Sequence, residues 1–110
     1  MNVNHRRGEI SATLDGRDYR LCLTLGALAE LESAFEAHDI GALVERFSTG
    51  RLSAGDMATI IGAGLRGGGN AVADDEVRAM HCEGGVTGFA AIVSDLLTAT
   101  FAGEAGPANP

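Results

Sequence analysis

Lysine and tryptophan are absent from this sequence, and all eight basic residues are arginines. A phosphate-binding loop of the Walker type needs a lysine after its glycines, so the run Gly67-Gly68-Gly69 is predicted to be a flexible connector between helices. The formal net charge is −7. This excess of acid argues against a nucleic-acid partner, because binding the phosphate backbone requires a basic surface.

Residues that ligate metals or act as nucleophiles are few and scattered. Cys22 and Cys82 lack the CxxC spacing, and His5, His38 and His81 stand far apart along the chain. These residues cannot be combined into a nucleophile, a base and an oxyanion donor. We therefore expect no metal site, no cofactor and no enzymatic activity.

Long apolar runs are missing as well. No stretch approaches the roughly 20 residues of a membrane span, and no apolar segment typical of a signal peptide follows the first residues. We expect a cytoplasmic protein with reduced thiols and no membrane partner. The 110 residues suit one domain. We predict a disordered N-terminus over 1–7, a single globular domain over 8–103 and a disordered tail over 104–110.

The clearest local signal predicts a β-hairpin over about residues 9–23. Two alternating segments flank Asp15-Gly16, the pair that a two-residue type I′ turn prefers because both positions need positive φ. If Leu14 pairs with Arg17, the apolar positions of both strands meet on one face. An isolated hairpin is marginally stable in water, so this face is expected to rest on helices.

The rest of the chain has the apolar spacing of about five short α-helices. Thr24, Asp39, Ser53 and Asp74 are the predicted N-caps of the first four helices. The last helix has the most regular stripe, which consists of Phe89, Ile92, Val93, Leu96, Leu97 and Phe101. The predicted fold is therefore α+β and mainly helical, with the N-terminal hairpin packed on the helices.

Five residues are candidates for partner binding. Glu32 and Glu36 are predicted to lie at i,i+4 on one flank of the first helix, where they would favour a basic partner. Phe89, Leu97 and Phe101 belong to the last apolar stripe, which is more often core than binding surface. The edges of the hairpin are a further candidate, since an open edge can accept another strand.

Several segments, in this order and spacing, resemble a family of gene transfer agents and siphophages whose members are called tail tube protein or tail assembly chaperone. The resemblance covers roughly residues 7–103. It rests on Gly8-Glu9-Ile10, Leu14-Asp15-Gly16-Arg17-Asp18-Tyr19, residues 24–32, Leu43-Val44-Glu45-Arg46-Phe47, residues 64–69, Asp74-Asp75-Glu76-Val77, Leu96-Leu97 and Thr100-Phe101.

The resemblance implies a role in building a long, non-contractile tail inside a bacterial host cell. Because the predicted fold is mainly helical, we favour a tail assembly chaperone that binds the tape measure protein, with tail tube subunits as a further candidate partner. The first alternative is a structural tail component retained in the particle. The second is a small nucleic-acid-binding regulator, which the acidic composition disfavours. The sequence leaves open whether the chain forms a homo-oligomer.

Overall fold

The computed structural model describes residues 8–102. Its elements are β1 Glu9–Leu14, β2 Arg17–Cys22, α1 Leu25–Ala34, α2 Ile40–Ser48, α3 Ala54–Gly67, α4 Asp74–Arg78 and α5 Gly85–Leu97, followed by a π-helical turn, Thr98–Ala102. Within the described residues, this confirms the predicted α+β fold with an N-terminal hairpin and five helices. The segments predicted to be disordered, 1–7 and 104–110, lie outside them.

The hairpin forms as its turn sequence predicts. Asp15 and Gly16 have φ values of 54° and 74°, which a type I′ turn requires. The strands pair in the expected register, Leu14↔Arg17, Ala12↔Tyr19 and Ile10↔Leu21. The turn is also fixed from outside, because the Asp15 N–H donates to the His81 carbonyl oxygen at 2.8 Å and the His81 N–H donates to the Asp15 carboxylate at 2.8 Å.

Three of the four predicted helix caps are confirmed. Thr24, Asp39 and Ser53 each accept a hydrogen bond from a backbone N–H in the first turn, at 3.1, 2.8 and 3.0 Å. The prediction for the fourth helix is wrong by one residue. Ala73 is its N-cap, and the Asp74 carboxylate accepts instead from Arg66, a residue of α3.

The buried helix α3 organises the core, since it packs against β2, α1, α4 and α5. Its Gly64 lies where a methyl group would come within 2.6 Å of a Leu96 methyl carbon and 3.3 Å of a Leu21 methyl carbon. The glycine therefore lets side chains of α5 and the hairpin meet over the helix. The fully buried large side chains are Leu14, Leu21, Leu31, Leu43, Ile60, Ile61, Leu65 and Leu96.

The glycine run at the end of α3 is a packing surface, and its prediction as a flexible connector is wrong. Gly67 is the last residue of α3 and Gly68 is its C-cap. A Cβ on Gly67 would overlap the Cys22 carbonyl oxygen, and a Cβ on Gly68 would lie 2.7 Å from the Arg20 carbonyl carbon. The outer edge of β2 is therefore covered by the end of α3 from Arg20 to Cys22, and a partner strand cannot pair with this part of it.

Asn70 joins the same two elements through its side chain. Its amide nitrogen donates to the Arg20 carbonyl oxygen at 2.8 Å and to the Leu65 carbonyl oxygen at 3.0 Å. Gly69 adopts a φ of 95°, which ends α3 in the left-handed conformation that glycine favours. The turn after α3 thus holds the hairpin against the helix.

Candidate interaction surface

The predicted partner-binding residues are distributed over α1, α5 and the segments that follow these two helices. Phe89 lies near the start of α5 and lines a groove. Leu97 lies about 12 Å from Phe89 along the helix axis, and Phe101 lies beyond it. Both side chains are half-buried against the core. Glu32 is half-buried on α1, and Glu36 is exposed.

The expected pairing of Glu32 and Glu36 on one helical flank is wrong, because α1 ends at Ala34. Glu36 follows the C-cap residue with a φ of 55°. The Ala37 N–H donates to the Glu32 carbonyl oxygen at 2.8 Å, and the Glu36 N–H donates to the Ser33 carbonyl oxygen at 3.3 Å. This is a Schellman ending with glutamate at the position that usually carries glycine.

A groove of about 330 Å³ opens between the N-terminal half of α3, α4 and the start of α5. Its lining is apolar except for one charged residue, and consists of Ala54, Gly55, Met57, Ala58, Ile61, Val77, Arg78, Val86 and Phe89. Val86, on the first turn of α5, is 69% exposed. We call this feature the apolar groove. Its size lies at the lower end of the range of about 300–1,000 Å³ for small ligand sites.

A second exposed apolar residue lies at the start of α1. Leu25 is 83% exposed, the highest value among the large apolar side chains of residues 8–102. The other exposed members of this class are Ile40, Val44 and Val86. The sequence does not reveal the exposure of Leu25, because a spacing of three residues from the buried Leu28 is equally consistent with the core stripe.

Arg66, on α3, makes hydrogen bonds to several other segments of the fold. Its guanidinium donates to Glu30 at 2.7 Å, to Asp74 at 3.0 Å and to the Val72 carbonyl oxygen at 2.9 Å. The hydrogen bond to Glu30 raises the pKa of Arg66, partial burial opposes this change, and Asp74 adds to the increase. The network ties α1 and α4 to α3, which indicates a structural role.

Groups that carry chemistry are not clustered in the described part of the chain. Cys22 and Cys82 are both half-buried, and no set of three or more His, Cys, Asp or Glu residues between 8 and 102 is arranged to hold a metal. No helix in this range is long and apolar enough to cross a bilayer. The apolar groove and Leu25 are the two candidate binding features considered below.

Comparison with known protein families gives a match over nearly the whole chain. The family model described as phage tail tube protein, GTA-gp10 matches residues 7–103. This supports the resemblance to gene transfer agent and phage tail proteins, whereas the name assembly chaperone receives no support from it. No curated protein and no solved structure matches the chain. Since the family model spans nearly the whole sequence, the chain belongs to the phage tail tube protein, GTA-gp10 family.

Proposed function

We propose that this protein is a structural component of a phage-like tail, retained in the finished particle, and that it acts by non-covalent contact rather than by catalysis. The observation that carries the proposal is the family match over residues 7–103. If the protein has this structural role, it is assembled into tails in the cytoplasm of a bacterial host cell. The role first favoured from the sequence, that of an assembly chaperone, becomes the second candidate.

The surface of the molecule suits repeated protein–protein contact. Leu25 and Val86 expose apolar side chains on an acidic chain with a net charge of −7. A few residues buried in well-packed pockets supply most of the binding energy in typical interfaces, whereas exposed charges at the rim contribute little. The chain thus offers both an exposed anchor and an apolar groove.

The test is to look for the protein in purified tails. Particles are separated from the producing lysate on a density gradient, and the chain is measured in both by quantitative mass spectrometry. We expect it to co-sediment with the particles at a fixed ratio to the other tail proteins. Presence in the lysate and absence from the particles would overturn the structural role.

The second candidate is the chaperone that binds the tape measure protein, and the apolar groove is the observation that favours it. Grooves lined by residues such as Met57, Ile61 and Phe89 accept the apolar face of an amphipathic helix. The test is co-expression with the tape measure protein followed by size-exclusion chromatography. Co-elution that Val86→Glu abolishes would support this role, and a tape measure protein equally soluble alone would exclude it.

A further inference from the structure

The two exposed apolar features, Leu25 and the apolar groove, lie beside opposite ends of α3. Thr24, the residue before Leu25, has its backbone nitrogen 3.4 Å from the Cβ position of Gly67, the last residue of α3. The apolar groove is instead lined by Ala54 to Ile61, from the N-terminal half of α3. Ile61, the groove residue of α3 nearest to Gly67 in the sequence, lies about 9 Å from it along the helix axis. Leu25 does not line the groove of its own chain and is 83% exposed, so its side chain is available to contact another copy.

The charges beside the two features are complementary. Arg78 is the one charged residue among those that line the groove, and its guanidinium donates to the highly exposed Asp75 at 2.9 Å. On α1, Glu32 comes seven residues after Leu25, which places it on the same flank about 10 Å further along the axis. An acidic group thus accompanies the apolar anchor, and a basic group accompanies the groove.

We propose that Leu25 of one copy inserts into the apolar groove of the next copy, with Glu32 facing Arg78 across the contact. The inference rests on the proposed structural role in the tail. A second copy is the favoured occupant because the chain carries both complementary surfaces, with opposite charges beside them. The contact is heterologous, so each copy uses one surface as donor and the other as acceptor. Repetition builds a ring if the rotation between copies closes and a filament if it does not.

The first experiment measures self-association of the full chain by sedimentation velocity over a range of concentrations. Leu25→Glu removes the anchor and Val86→Glu blocks the groove. Both substitutions place a carboxylate in the first turn of a helix, where the helix dipole favours it, so folding is preserved. Ile40→Glu is the matched control, because Ile40 is an exposed apolar residue at the first position of α2 and lies in neither surface.

We expect the unsubstituted chain and the Ile40→Glu variant to associate with increasing concentration. The Leu25→Glu and Val86→Glu variants should each associate at least about tenfold more weakly, since each loses an interface anchor. An unsubstituted chain that stays monomeric up to millimolar concentration would overturn the proposal. Retained association of Leu25→Glu would assign the groove to another segment, and equal loss in Ile40→Glu would mean that the association is non-specific.

Mixing the two defective variants tests the direction of the contact. Leu25→Glu retains an intact groove and Val86→Glu retains an intact anchor, so a 1:1 mixture should form a heterodimer that grows no further. A mixture that stays monomeric would refute the head-to-tail geometry. Capture of a tape measure helix by the groove, with no self-association, would assign the groove to that partner.

A charge exchange tests the polar part of the interface. Arg78→Glu alone should weaken association, and adding Glu32→Arg in the same chain should restore it, because each contact then pairs the exchanged charges of two copies. Failure of the double variant to recover would remove Glu32 from the interface. These results can be separated from a test of the proposed function. If the chain is present in purified tails but does not self-associate, only the proposed interface is refuted. If the chain self-associates as described but is absent from purified tails, only the proposed structural role is refuted.

Discussion

Substitution of Gly67 by alanine tests the account of how α3 meets the hairpin. Gly67 has an ordinary helical conformation as the last residue of α3, so its backbone angles alone would tolerate a side chain. The obstacle is the neighbouring strand. A Cβ at this position would overlap the Cys22 carbonyl oxygen and lie 3.1 Å from the Cys22 carbonyl carbon. The obstructing atoms are backbone, so no side-chain rotation relieves the overlap.

The magnitude follows from two opposing effects. Alanine in a helix reduces the entropy of the unfolded chain and stabilises by about 0.4–1 kcal/mol where it fits. Forcing extra volume into a packed site costs about 1–3 kcal/mol. Gly55 provides a matched control in the same helix, because a Cβ there meets its nearest atom, the Ser53 hydroxyl oxygen, at 3.7 Å. We therefore expect Gly67→Ala to destabilise the protein and Gly55→Ala to stabilise it.

The assay is urea denaturation followed by circular dichroism, with thermal unfolding as a second measurement. Because both variants share the entropic gain, we expect their free energies of unfolding to differ by the steric cost alone, about 1–3 kcal/mol. This corresponds to a difference of at least about 4 °C in Tm for a domain near this size. If Gly67→Ala is as stable as Gly55→Ala, the close approach of α3 to β2 is refuted.

Two further substitutions test local features of the fold. Glu36→Gly should stabilise the protein by about 0.5–1 kcal/mol, because glycine tolerates the left-handed φ of 55° that strains other residues. The control Glu36→Ala keeps a Cβ and should give no such gain. Equal effects of the two substitutions on stability would exclude backbone strain as the cause. Arg66→Met should destabilise by about 1–2 kcal/mol through loss of its hydrogen bonds to Glu30 and Asp74, and Arg66→Lys should recover only part of this because lysine lacks the planar fork. Both are measured by urea denaturation, and an unchanged Arg66→Met variant would contradict the structural role of the network.

Features decided by neighbouring residues could be predicted from the sequence. The Asp15-Gly16 turn fixes the register of the hairpin without reference to the rest of the chain. Thr24, Asp39 and Ser53 cap helices because their side chains reach backbone N–H groups only three residues away. The order and spacing of short segments also sufficed to indicate the family.

Features decided by contacts between distant segments could not be predicted. Gly67 and Gly68 resemble a flexible connector until β2 is known to lie against them. Glu36 continues the helical spacing of α1, yet the chain leaves the helix at Ala34. The apolar groove forms only where α3, α4 and α5 meet, so periodicity could suggest Phe89 but not the groove around it. Leu25 likewise has the spacing of a core residue and the exposure of a surface one.

The most direct test of the central claim is the copy number of this chain in finished tails. Absolute quantification with isotope-labelled peptides would compare it with the most abundant tail protein of the same purified particles. The structural role predicts a fixed stoichiometric ratio that persists through successive gradient purifications. A ratio that falls towards zero with purification, while the chain remains abundant in the assembling lysate, would contradict the account and identify a factor that leaves before the tail is complete.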